Sequence, residues 1–112
     1  MSSRDVRTRV AASRLDEFRE VATQLAAAAR AEAGTIQYRW FSSKDPSMFV
    51  VIEEYTDEDA AFEHNCRCAA LLERFAQVAE LTSVQLHGPL GFTFSKWIDE
   101  RPQAHAFVPL SD

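Results

Sequence analysis

The segment EEYTDEDAAFEHNCRC, residues 53–68, concentrates the side chains of this chain that can do chemistry: carboxylates, Tyr55, His64, Cys66 and Cys68. Three readings compete for it: a metal site, an acid/base site, or the cap and face of an ordinary helix. His64 and Cys68 lie four apart and share a face of a continuous helix. Structural zinc, however, draws on paired cysteines two to four residues apart, and Cys66 and Cys68 have one residue between them and point in different directions. His87 and His105 have no motif around them, and no Cys-x-x-Cys marks a redox site, so no metal or redox role is expected. The acid/base reading rests on His64, because histidine exchanges protons near neutral pH. Glu53 shares a strand face with Phe49, Val51 and Tyr55. A carboxylate there must be paired, with Arg39 or Arg9 as the expected partner, or held protonated. Each residue also has an ordinary structural reading. His64 suits a helix end bonded to a carbonyl, Tyr38 and Trp40 suit a core or an interface, and the acids of TDED suit a solvated helix start.

The elements that position these residues follow from periodicity. DVRTRVA alternates and predicts a first strand. Ser13 then offers a cap for a helix over 14–33, with Leu15, Phe18, Ala22, Leu25 and Ala29 at helical spacing and Gly34 as a left-handed terminator. TIQYRWF puts Ile36, Tyr38 and Trp40 on one face of a second strand. The turn cluster SSKDPS leads to a third strand, MFVVIEEY. Thr56 is the expected cap of the next helix, with Asp59 as its capping-box acid. That helix has a break expected near Asn65, and TSVQLHG is a fourth strand. Strand, helix, strand, strand, helix, strand is the α+β ferredoxin-like pattern: an antiparallel sheet with helices on one face. Strand three is apolar on both sides, so the far face needs cover, and a homodimer joining two sheets supplies it. In the last residues Ser95 is expected to cap a short helical turn, and AHAFVPL to form a final strand. Phe92, Phe94, Trp97 and Phe107 are expected to pack on the sheet edge or a partner subunit.

A length of 112 residues suits one domain, and 46% hydrophobic residues suit a soluble globule. The net charge of −5 and the lack of a basic patch argue against nucleic acid. No apolar signal region or membrane-length run is visible, so a cytoplasmic protein with no membrane partner is expected.

The run RLDEFREVATQLAAAARAEAGTIQYRWF, followed by DPSMFVVIEEYTDEDAAFEHNCRCAALLERF, resembles the antibiotic-biosynthesis monooxygenase family. The marks are EAGTIQY entering the second strand and FVVIEEYTDEDAAFEH crossing from the third strand into the second helix. The family usually has Glu-x-Trp and then a His nine residues past the Trp, matched here by Glu53, Tyr55 and His64. The resemblance covers residues 5–88 and leaves 89–112 as an extension of a single domain spanning 1–112. It implies a dimeric α+β barrel with an aromatic pocket between sheet and helices. Some relatives oxygenate quinols or anthrones with no metal or flavin, and others degrade haem. Several positions depart from the family. Tyr55 replaces the Trp, and Ala69 stands where many relatives carry a second His. His64 and Arg74 stand where the haem-degrading branch has its Trp and ligand His. Val51 and Ala61 stand where an anthrone oxygenase has its Asn and Tyr.

Oxygenation without a cofactor needs a substrate that becomes an electron-rich anion, a base to form it, and donors in a dry aromatic pocket to hold it. The resulting expectation is a cofactor-free monooxygenase taking a small aromatic quinol or polyketide-like molecule and molecular oxygen. His64 and Tyr55 would be catalytic, and Tyr38, Trp40, Glu53 and Phe62 would bind substrate. The alternatives are a non-catalytic ligand-binding dimer of the same fold and an isomerase or decarboxylase that needs no oxygen.

Overall fold

Alternation builds the sheet. The computed structural model describes residues 1–111. Strand β1 (Ser2–Arg9) buries Ser2, Val6 and Thr8 and exposes Arg7 and Arg9. It lies at the centre, antiparallel to β3 (Met48–Tyr55) on one side and to β4 (Glu80–His87) on the other. Strand β2 (Thr35–Ser42) forms a hairpin with β3, and β5 (Ala104–Phe107) runs parallel to β4, giving the order β2-β3-β1-β4-β5. The helices are α1 (Leu15–Arg30), α2 (Glu58–Arg67), α3 (Ala69–Val78) and α4 (Phe92–Asp99). The first four strands have the expected ferredoxin-like order, and the extension adds one helix and one edge strand to the same sheet.

Several local expectations are corrected. No side chain caps α1, and a 3-10 turn over Ala12–Arg14 leads into it in place of a Ser13 cap. Helix α1 ends at Arg30 because the amides of Ala31 and Glu32 bond back to the carbonyls of Ala28 and Ala29, a tightened last turn. Gly34 does not take the left-handed conformation; the only positive-φ residue described is Gly88. What Gly34 provides is close approach, since a Cβ there would sit 2.6 Å from Ala60 Cβ on α2. The cap of α2 is Asp57, whose carboxylate takes the Ala60 amide at 2.8 Å, rather than Thr56. The helix breaks at Cys68, three residues beyond Asn65. A register shift between Thr35 and Gln37 takes Ile36 off the face shared by Tyr38 and Trp40, and Ile36 is exposed. Helix α4 is two turns long and is capped at Gly91, whose amide donates to Glu58 Oε2 at 2.6 Å; Ser95 lies inside it. Of the four aromatic residues in the extension, Phe94 is buried and Trp97 packs on the core, whereas Phe92 and Phe107 are exposed.

The register sorts the side chains into two faces. Toward the helices, Tyr38, Glu53, Arg4 and Leu86 form one cross-strand row. Trp40, Val51, Val6 and Val84 form the next. On the opposite face Phe41 pairs with Val50, Arg39 with Ile52, and His87 with Phe107. Among the described residues no helix is long and apolar enough to cross a membrane.

Candidate active site

The two inward rows form the floor of a cavity of about 610 Å³, a volume suited to a small molecule. Leu25 of α1, Leu72 and Phe75 of α3, and Phe94 and Trp97 of α4 wall it, with Arg101 and Gln103 beyond α4. The lining is mainly aliphatic and aromatic, and the polar groups on the floor are few: Arg4, Glu53, Tyr38 and the Trp40 indole, with Asn65 beside them.

Glu53 is the centre of this group. It is 5% exposed. Its Oε1 accepts from Arg4 Nε at 2.9 Å and from the Tyr55 hydroxyl. Arg4 Nη2 donates to Asn65 Oδ1 at 2.7 Å, which ties the sheet to the end of α2. No hydrogen bond engages Glu53 Oε2 among the described residues, so one carboxylate oxygen is fixed and the other is available. Burial by itself works to lower the Arg4 pKa, but the adjacent Glu53 and Tyr55 together outweigh it and push it up, so the guanidinium stays charged. Burial first, then the negative charge of Glu53, pushes the Tyr55 and Tyr38 phenols up, so both stay protonated as hydrogen-bond donors. Among the described residues Trp40 Nε1 is a buried donor without a partner, the kind of group a ligand acceptor satisfies.

The structure brings Glu53, Tyr55, Tyr38 and Trp40 together. Tyr55 is fully buried and reaches the cavity through Glu53 rather than lining it. His64 is also outside the lining. It is 1% exposed, packed against the rings of Tyr38 and Tyr55 at 5.4 and 5.7 Å, and its Nδ1 lies 2.6 Å from Glu32 Oε1. Phe62 is half exposed and meets Phe94 edge-on, away from the cavity lining. The partner of Glu53 is Arg4, not Arg39 or Arg9, both of which are exposed. Strand phase marks Arg4, which is in step with Val6 and Thr8, the residues β1 turns inward. Asn65 and Glu32 gave no signal, since only tertiary packing brings them to the site.

The model of the family described as antibiotic biosynthesis monooxygenase matches residues 1–67. The chain belongs to that family. Its fold recurs among solved structures. MupZ from Pseudomonas fluorescens superposes with a TM-score of 0.80 at 15% identity, covering 99% of this chain and 91% of that one. Rv0793 from Mycobacterium tuberculosis gives 0.72 at 19% identity, covering 81% and 96%. A variant of SnoaB, a cofactor-independent oxygenase from Streptomyces nogalater, gives 0.68 at 18% identity, covering 76% and 88%. The MupZ match therefore takes in α4 and β5 as well as the core. Comparison of the sequence with curated proteins returned no match.

Proposed function

We propose that this family member is an enzyme that deprotonates an apolar, polycyclic or polyketide-like small molecule in the cavity and passes the resulting anion to molecular oxygen, without metal or flavin. The observation that carries the reading is the one buried carboxylate of a mainly apolar and aromatic cavity, Glu53, held at one oxygen by Arg4 and Tyr55; the other carboxylate of the lining, Glu80, is exposed. Such a carboxylate is a positioned base. The Arg4 guanidinium, the Tyr38 phenol and the Trp40 indole are donors for the anion it creates. The anion gives an electron to oxygen, the two radicals join as a hydroperoxide, and loss of water leaves a carbonyl: CH2 + O2 → C=O + H2O. Oxygen is thus the whole oxidant. Membership of the family and the fold shared with SnoaB, itself a cofactor-independent oxygenase, support the oxygen step. In this reading Glu53 takes the role that spacing suggested for His64, which instead supports the two tyrosines.

The same base beside a fixed cation also suits proton transfer within a carbonyl compound, which needs no oxygen; the Arg4–Glu53 pair is what favours this second reading. An oxygen electrode separates the two. Chelator-treated protein given quinols and anthrones is expected to consume one oxygen per substrate turned over. Product formed equally fast under argon would sink the oxygenase reading in favour of the second.

The assembly is a homodimer in this proposal. Phe41, Val50 and Ile52 form an apolar patch of β2 and β3 on the sheet face without helices, next to Arg39 and to Asp5 and Arg7 of β1. Sedimentation at micromolar concentration is expected to give about twice the 12.6 kDa chain mass. A stable folded monomer would remove the dimer.

A further inference from the structure

Three side chains from two helical segments converge on the side of the tyrosines remote from the cavity. Glu32 follows the last turn of α1, and His64 and Cys68 are one turn apart at the end of α2. A carboxylate oxygen of Glu32, His64 Nδ1 and Cys68 Sγ all lie within 4.8 Å of one another. His64 and Cys68 are buried, and the Glu32 side chain is 12% exposed. We propose that these three residues bind a divalent transition-metal ion, zinc or cobalt, at a site distinct from the cavity.

The geometry supports this quantitatively. Tetrahedral zinc with a Zn–N bond of about 2.0 Å and a Zn–S bond of about 2.3 Å sets nitrogen and sulfur roughly 3.5 Å apart. The Nδ1–Sγ distance here is 3.7 Å. Helix α2 therefore already holds two ligands at coordination spacing. Glu32 Oε1, at 2.6 Å from Nδ1, is hydrogen-bonded. An oxygen sharing an ion with that nitrogen sits about 3.3 Å away, so the carboxylate must withdraw by less than ~1 Å. It is the ligand with room to do so, being the partly exposed one and lying beyond the helix end. Its second oxygen, or a water, completes four donors. The set of one oxygen, one nitrogen and one sulfur suits these two metals.

Charge favours binding as well. The cation meets two anionic donors, the Glu32 carboxylate and the Cys68 thiolate, and neutralises their charges inside the buried cluster. Burial first, then the charges of Glu32 and Glu53, pushes the Cys68 thiol up. It is an unreactive thiol until a cation converts it to thiolate. The spacing of Cys66 and Cys68 hides this site from the sequence. Cys66 is exposed and takes no part, and the missing donor, Glu32, comes from 32 residues away.

Cobalt(II) titrated into the chelator-treated full chain tests the site. The expected result is a near-ultraviolet thiolate-to-cobalt band that saturates at a single ion per chain and is displaced by zinc. Cys68→Ser should abolish the band and weaken binding by roughly 100-fold or more, since even residues that only support a ligand are worth about 10- to 100-fold. Cys66→Ser should change neither. Glu32→Gln should keep the band and weaken binding. No band at millimolar cobalt, with native circular dichroism, overturns the proposal. A band that survives Cys68→Ser, one lost in Cys66→Ser, or an affinity unmoved by Glu32→Gln overturns it equally.

Discussion

Glu53→Gln is expected to lower turnover by about 10²- to 10⁴-fold, the range by which positioned acid–base groups contribute. The amide keeps the shape of the carboxylate and can still bond Arg4 or Tyr55, but it cannot take a proton. The loss should appear in kcat under single-turnover conditions, with substrate binding changed far less, because the cavity walls of Leu25, Phe75, Phe94 and Trp97 are untouched. Glu53→Asp is the informative companion. It keeps the charge that Arg4 requires and draws the carboxylate back from the cavity, so a loss near ~10²-fold is expected from misplacement alone. If the Gln variant is folded and turns over within tenfold of the unaltered protein, Glu53 is not the base, and His64→Ala becomes the decisive variant.

Arg4→Met should destabilise the fold by about 3–5 kcal/mol, the cost of leaving one member of a buried ion pair alone. The Arg4 and Glu53 side chains are 12% and 6% exposed and lie 2.8 Å apart, so solvent offers little compensation. Arg4 also donates to Asn65, and its loss removes the hydrogen bond that ties the end of α2 to the sheet. Adding Glu53→Leu to Arg4→Met should recover much of the stability, because an apolar pair of similar volume is often as stable as a buried ion pair. Denaturant midpoints of the two single variants and the double give the coupling directly. An Arg4→Met variant within ~1 kcal/mol of the starting protein would mean the pair is better solvated than its burial indicates. A double variant restored in stability yet inactive would separate what the pair does for the fold from what it does for the reaction.

The fold was legible because it rests on local periodicity. The alternation in β1, β2 and β3 and the apolar stripe of α1 each state which face is inward, and the element order limits the topology. Boundaries were less legible for identifiable reasons. Asp57 displaced Thr56 as cap because its carboxylate reaches the Ala60 amide, and a bulge moved Ile36 out of phase. The site was legible in part. Glu53, Tyr38 and Trp40 follow from strand phase. Strand phase also favours Arg4, which is in step with Val6 and Thr8, over Arg9 and Arg39, which point outward; the β1–β3 register then sets it opposite Glu53. The orientation of His64 was invisible: the carboxylate it meets, Glu32, lies 32 residues away beyond the end of α1, and only tertiary packing brings the two together.

The Arg4 contacts also carry a consequence for the order of assembly. Arg4 reaches Glu53 across 49 positions and Asn65 across 61. The Arg4 guanidinium has no partner until 49 further residues have followed it. Contacts this distant carry a large loop-closure cost before they return any energy. Strand β1 therefore cannot commit to its neighbours early. Its burial waits on β3 and α2, and the cavity floor comes into being in the same event that completes the centre of the sheet.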